Sequence, residues 1–254
     1  MAPAGAAAAT LSAPGVTQAL RDVKLSLTVN GRIESLAVRE GQRVGRGQVL
    51  LRLDRALEEL EVQRRRLLLA DRARLEELRS KERILGEQVA ALKPLLQAGG
   101  IARKQFEDEE MALNNVIAER RALEVAKQRE KVELDLAIEA FERRHLRSPI
   151  QGVVTKILQR EGESVAANEP VLHVVDVSRV RFMGTVPAAQ GAQLKLGRSV
   201  TIQLGLSEQS ASRQGRLVFV SPVTDAASGL VEVIAEFDNP DGSVKPGVSG
   251  RMLF

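Results

Sequence analysis

Residues 31–54, GRIESLAVREGQRVGRGQVLLRLD, return in altered form at 152–176 as GVVTKILQREGESVAANEPVLHVVD, with a long, strongly helical stretch between the copies. With Gly31 set against Gly152, one gap-free offset pairs Ile33 with Val154, Leu36 with Ile157, Arg39-Glu40-Gly41 with Arg160-Glu161-Gly162, Val44 with Val165 and Leu51 with Leu172. In each copy an alternating apolar run enters a glycine turn, at Gly41 or Gly162, and a second apolar run leaves it, which is the pattern of a short hairpin. Such a hairpin cannot shelter its apolar face from water unaided. The halves are therefore predicted to pack on each other as one small β unit, split by a helical insertion.

Within the insertion, apolar residues recur at spacings of three and four: Leu57, Leu60, Leu67, Leu75, Leu78, Leu85, Val89, Leu92 and Leu96. This is a heptad seam, interrupted by Arg64, Asp71 and Glu82. The remaining surface sets Glu and Arg three or four residues apart, which reads as a solvated helix face rather than a nucleic-acid arm. Pro94 and Gly99-Gly100 break the pattern. A second helix is predicted from about Arg103 to Arg144, turning Phe106, Leu113, Val116, Ile117, Leu123, Leu134, Ile138 and Phe141 towards the first. Arg143-Arg144-His145 suits a helix C-terminus, and Ser148-Pro149 stops it. Two helices of about forty residues make an antiparallel hairpin on the order of 60 Å long. A two-helix hairpin buries a single seam, so this length points to reach.

From Val177 the pattern changes to short β runs, at Val180–Val186, Arg198–Leu206, Gly215–Val220, Leu230–Phe237 and Gly250–Phe254, with a short helical stretch at Ala188–Leu196. These predict a small β-barrel, to which Val16–Leu27 adds a strand unless it leads into the split unit. The opening MAPAGAAAATLSAPG, 1–15, reads as a disordered leader without the basic and leucine-rich regions of an export signal, and no apolar run is long enough to span a bilayer.

Little in the sequence suggests catalysis. Six Phe with no Trp or Tyr leave ring-lined pockets and base-stacking platforms poorly supplied. Lys+Arg 37 against Asp+Glu 33 is too small an excess to indicate nucleic acid. Without cysteine there is no disulfide, thiolate metal site or thiol nucleophile. The two histidines, His145 and His173, fall in different elements, and Met111, Met183 and Met252 are scattered, so no metal site is expected. No G-x-S-x-G, P-loop, dinucleotide fingerprint or H-E-x-x-H occurs.

The segment 31–54, RSPIQGVV at 147–154, GESV at 162–165 and SPVTDAASG at 221–229, in this order and spacing, resemble the periplasmic adaptor subunits, or membrane fusion proteins, of bacterial tripartite efflux and secretion systems of the resistance-nodulation-division or related type. The resemblance covers nearly the whole chain. It implies an elongated, multi-domain α+β fold: a split lipoyl-like (biotinyl-like) β domain at 16–54 and 145–176, an antiparallel α-helical hairpin at 55–144 with its tip near 94–102, and a β-barrel at 177–254. The membrane-proximal domain of many adaptors is expected to be absent or truncated here. Also implied are a periplasmic location, anchorage to the inner membrane through a signal or anchor outside this sequence, and no enzymatic activity. The implied partners are an outer-membrane channel and an inner-membrane transporter of resistance-nodulation-division or ABC type, joined by a homo-trimer or hexamer, with no nucleic acid. Hinges are expected near Leu53–Ala56, His145–Pro149 and Val175–Val180.

Lipoyl carriers attach their cofactor to a hairpin-tip lysine, but here Arg55-Ala56 follows Asp54, and Lys156 lies within a predicted strand, so no cofactor is expected. Pump adaptors of the resistance-nodulation-division class tend to carry an arginine, a leucine four residues later and a serine seven beyond that. These fall at Ala91, Leu95 and Ala102, and only the leucine matches. Channel contact is accordingly expected through Leu95, Gly99, Gly100, Ile101 and Arg103. The alternatives are a coiled-coil scaffold without a transport role and an adaptor of a type I secretion system or ABC exporter.

Overall fold

A computed structural model of the chain describes residues 11–205 and 211–254. They form two compact units: the residues up to Leu53 together with Leu146–Phe254, and Asp54–His145.

The first unit begins with β1 (Ser12–Ser26), β2 (Gly31–Leu36), β3 (Arg43–Val44) and β4 (Val49–Leu53). After the helical unit it continues with β5 (His145–Arg147), β6 (Gly152–Ile157), β7 (Ser164–Val165) and β8 (Pro170–Pro187). The repeat seen in the sequence is a repeat of hydrogen bonds. β2 pairs with β4 and β6 with β8, while the short strands are exchanged, β3 lying on β6 and β7 on β2. The Gly41 amide donates to the Val154 carbonyl at 2.7 Å, and the Gly162 amide to the Ile33 carbonyl at 2.9 Å. The Leu36 amide donates to Glu161 Oε1 at 2.7 Å, and the Ile157 amide to Glu40 Oε1 at 2.8 Å. Each glutamate of the repeated Arg-Glu-Gly triplet thus caps a strand of the other half. One core contains Ile33, Val44, Leu50, Leu51 and Leu53 together with Val154, Val165, Val171, Leu172 and Val174. Its members come from equivalent positions of the two halves, which explains why the apolar pattern had to be written twice.

β8 continues past this core and meets β9 (Ser199–Leu204), β10 (Ala211–Thr224), β11 (Leu230–Asp238) and β12 (Ser249–Leu253). The pairings run β1–β12–β9–β10–β11–β8 and return from β8 to β1, so these strands form a closed ring without a free edge. Inside it, Ala13, Val180, Phe182, Val186, Ile202, Leu217, Val233, Ala235 and Met252 are fully buried. The alternation predicted from the sequence is the inward half of each strand. Closure hides the backbone groups that an open sheet would expose.

Several expectations are corrected. Residues 1–10 of the expected leader lie outside the described residues, but Ser12–Gly15 are strand. At Gly15 an added Cβ would stand 2.0 Å from the Met183 carbonyl oxygen, so only glycine permits the close β1–β8 approach. Helix α4 covers only Ala188–Gly191, not Ala188–Leu196. Near Val175–Val180, where a hinge is expected, the β1–β8 ribbon is continuous and carries a bulge between the pairs Arg21–Asp176 and Ala19–Val180. Buried Asp176 accepts the Ser178 amide and hydroxyl there, and buried Asn239 donates to the Val177 carbonyl at 2.9 Å. The bulge is therefore stitched in place.

The second unit holds α1 (Ala56–Ala70), α2 (Ala73–Gln97) and α3 (Arg103–Glu142). The expected single first helix is interrupted at Asp71-Arg72, where Asp71 is extended (φ −69°, ψ 109°) and its Oδ1 accepts the Ala73 amide at 3.2 Å. Lys127 Nζ donates to the Leu68 carbonyl at 2.9 Å, taking up a carbonyl of the last turn of α1. The break shifts the seam. In α2 the expected Leu75 and Leu78 are buried, but in α1 Leu57, Leu60 and Leu67 are 79%, 61% and 74% exposed. The inward positions of α1 are instead Glu58, Val62, Arg65 and Leu69. The α3 seam follows the expected positions, with Val116 buried and Phe106, Leu113, Ile117, Leu123, Leu134, Ile138 and Phe141 partly so.

Candidate partner interface at the hairpin tip

α2 runs through Pro94 to Gln97 rather than stopping at the proline. Its end is set by Gly99, whose φ of +73° lies in the left-handed region that an L side chain disfavours. The Gly99 amide donates to the Leu96 carbonyl at 3.1 Å and the Gly100 amide to the Leu95 carbonyl at 2.8 Å, the double bond pattern of a Schellman cap. Ala102 is extended, and its carbonyl accepts the Gln105 amide at 3.0 Å as α3 begins. The chain therefore reverses through a short, internally hydrogen-bonded loop.

The five expected residues are brought together by this turn. Leu95 is 48% exposed in the last turn of α2, Gly99 and Gly100 are exposed, and Ile101 is half-buried. Arg103 opens α3 with its guanidinium turned to Glu107, Nε to Oε1 at 2.9 Å. Lys93 is exposed beside them. The surface is exposed Leu95, half-buried Ile101 and a bare glycine backbone, with cations at its margin. It offers shape and apolar contact, with nothing arranged for bond-making.

Below the tip, charged pairs tie the helices: Arg74 to Glu119 at 2.5 Å, Arg79 to Glu124 at 3.2 Å, Arg120 to Glu82, Arg65 to Glu133, and Arg144 to Glu58 at 2.5 Å. The more exposed of these, Arg74–Glu119 and Arg79–Glu124, contribute little singly, while Arg120–Glu82 and Arg144–Glu58 are part-buried. At Glu61 the hydrogen bonds from Arg64 and then Arg65 hold the carboxyl down at about 2. At the base, His145 Nδ1 lies 3.1 Å from the Phe141 carbonyl and so carries the hydrogen, leaving Nε2 to accept from Arg55 at 3.0 Å. His173 Nε2 pairs with Asp22. Among the described residues, no group of three or more His, Asp or Glu side chains is placed to hold a metal, and no helix is long and apolar enough to cross a membrane. Lys156 stands within β6, not at a turn.

The family described as "RND MFP, barrel-sandwich hybrid domain" matches residues 21–177, both halves of the repeat and the helices between them. The chain belongs to this family of membrane fusion proteins. The membrane fusion protein MtrC of Neisseria gonorrhoeae is 23% identical over 260 residues, which cover 97% of this chain and 60% of MtrC. The macrolide export protein MacA of Escherichia coli O157:H7 is 22% identical over 248 residues, covering 94% of this chain and 66% of MacA. An uncharacterized Haemophilus influenzae protein is 23% identical, covering 91% of this chain and 53% of its own length. The chain thus spans between about half and two thirds of these curated relatives. The crystal structure of MacA from Actinobacillus actinomycetemcomitans superposes with a TM-score of 0.76 at 22% identity, over 96% of this chain and 78% of that one. Spr0693 from Streptococcus pneumoniae R6 gives 0.65 at 16% identity, over 96% and 99%. This likeness establishes a mixed α/β adaptor fold with a helical hairpin.

Proposed function

We propose that the chain is a non-catalytic periplasmic adaptor that bridges an inner-membrane transporter and an outer-membrane channel in a tripartite efflux pump. The observation carrying this reading is the family membership of a chain whose two interlocked β halves are separated in sequence by a long helical hairpin ending in an exposed, internally hydrogen-bonded turn. In this reading the interlocked halves, 16–54 and 145–176, are the lipoyl-like domain, the closed strand ring is the barrel, and 55–144 is the reaching element. Copies assemble side by side as a trimer or hexamer, held to the inner membrane through a segment outside this sequence. The transporter is of resistance-nodulation-division or ABC type. The cargo is a small molecule, in keeping with relatives named for macrolide export and multidrug resistance.

The tip residues Leu95, Gly99, Gly100, Ile101 and Arg103 meet the channel, Leu95 supplying the apolar anchor. Because Leu95 is about half exposed, Leu95→Asp leaves the helix intact and places a carboxylate where the channel would have to desolvate it. In cells, this variant is expected to lose export while its abundance and helicity remain unchanged. Retained export at normal abundance would sink the assignment.

A further inference from the structure

At the bulge of the β1–β8 ribbon, a cavity of about 320 Å³ lies among Arg21, Arg46, Gln151, Asp176, Ser178 and Arg179. The charges around it are unmatched. Asp176 is only 5% exposed, and its Oδ1 accepts the Ser178 amide at 3.0 Å and the Ser178 hydroxyl at 2.6 Å. Its Oδ2 has no hydrogen-bond partner and is not sealed from solvent, although Arg21 is its neighbour across the strands. A buried carboxylate is stable when a cation or a donor meets it. Arg21 and Arg46 are exposed, and among the described residues neither has a carboxylate partner, whereas Arg179 is held by Glu236 and Asp238. The exposed Gln151 amide is likewise unbonded.

The duplicated turn does not need its arginine. The offset that pairs Gly31 with Gly152 sets Ala167 against Arg46, and both turns close by the same bond. The Gly45 amide donates to Gln48 Oε1 at 2.9 Å, and the Ala166 amide to Glu169 Oε2 at 3.0 Å. Arg46 is therefore an addition to one copy, placed beside a carboxylate with a free oxygen.

We propose that this cavity binds a small aminoalkyl phosphate, its phosphate between Arg21 and Arg46 and its ammonium on Asp176 Oδ2. Two unpaired guanidiniums match the nearly two negative charges of a phosphate monoester, and each fork fits a pair of its oxygens. Gln151 supplies a neutral donor. A bare phosphate would meet Asp176 as a like charge, and the ammonium removes that repulsion. A soluble phosphoamine and a lipid headgroup share this chemistry. The proposal does not depend on what the hairpin tip meets.

The test titrates the full 254-residue chain with O-phosphoethanolamine in phosphate-free, low-salt buffer, followed by calorimetry. Saturable binding of one molecule per chain is expected. Arg21→Gln and Arg46→Gln, exposed positions whose loss leaves the fold intact, should each weaken it roughly tenfold by removing a charge-assisted bond. Arg160→Gln, which removes an exposed arginine that does not border the cavity, should bind like the parent. Inorganic phosphate and ethanolamine, each carrying one of the two recognised charges, should bind at least roughly tenfold more weakly. Vesicles of phosphatidylethanolamine, compared with vesicles of phosphatidylcholine, distinguish the sources. Co-sedimentation of the parent with the former, lost in Arg46→Gln, assigns the lipid headgroup, and its absence assigns the soluble compound. No saturable heat, parent-like binding by either Arg21→Gln or Arg46→Gln, or equally tight binding of inorganic phosphate would overturn the proposal.

Discussion

Glu40 and Glu161 hold the two β halves together by the same bond made twice. Each carboxylate accepts a backbone amide from the other half, at 2.8 and 2.7 Å. Glu161→Ala and Glu40→Ala should each cost about 1 kcal/mol in urea unfolding, with Glu161→Gln, which keeps an acceptor oxygen, losing less. Equal stability of the alanine variants and the parent would contradict this role. The left-handed positions repeat as well, with Gly47 at φ 81° and its equivalent Asn168 at φ 65°. Asn is the L residue that best tolerates this region, so Asn168→Val should destabilise by about 1–3 kcal/mol. Glu61 bears on acid behaviour. Its carboxyl is held at about 2 in the folded chain against 4.5 when free, so its pairing contributes fully above pH 4.5 and is lost as pH falls through 2. Far-UV circular dichroism should show the parent and Glu61→Gln converging in helicity across that window. Convergence already at neutral pH would show that the pair is idle.

At the scale of elements, the helical hairpin was legible from its heptads, but its first-helix phase was not. The apolar spacing of Leu57, Leu60 and Leu67 looks like a seam, and spacing alone cannot tell which apolar stripe of a helix faces inward. A signal was nevertheless present. Asp54-Arg55-Ala56 opens α1 and Asp71-Arg72-Ala73 opens α2, and in both the aspartate Oδ1 accepts the amide two residues on. The repeated tripeptide marks a second helix start inside what reads as one helix. The corrected seam makes a sharp prediction. Leu78→Ala, at 1% exposure, should cost about 2–5 kcal/mol in thermal or urea unfolding. Leu67→Ala, at 74%, should stay within about 0.5 kcal/mol in dilute solution. The reverse order would restore the phase read from spacing alone. The β elements were more legible because a period of two repeated at a fixed offset leaves one register. The exchange of β3 and β7 between halves was not, since a two-residue strand carries no periodicity.

For the whole molecule, the split repeat and the length of its insertion were written plainly, and the family match of 21–177 covers that part of the chain. The tip was located by Gly99-Gly100, while its partner was not, because a leucine and a glycine turn name no surface by themselves. The central claim is that this turn meets an outer-membrane channel. Gly99 cannot carry a probe without backbone strain, so the probe belongs at Ile101, half-buried in the same loop. The decisive measurement is photo-crosslinking from position 101 of the whole-length protein in its native envelope, with mass spectrometry of the adduct. The account predicts a single dominant adduct with an outer-membrane channel, lost when Leu95 is replaced by Asp. Adducts with soluble proteins alone, or none at normal abundance and labelling, would contradict it and leave a coiled-coil scaffold in its place.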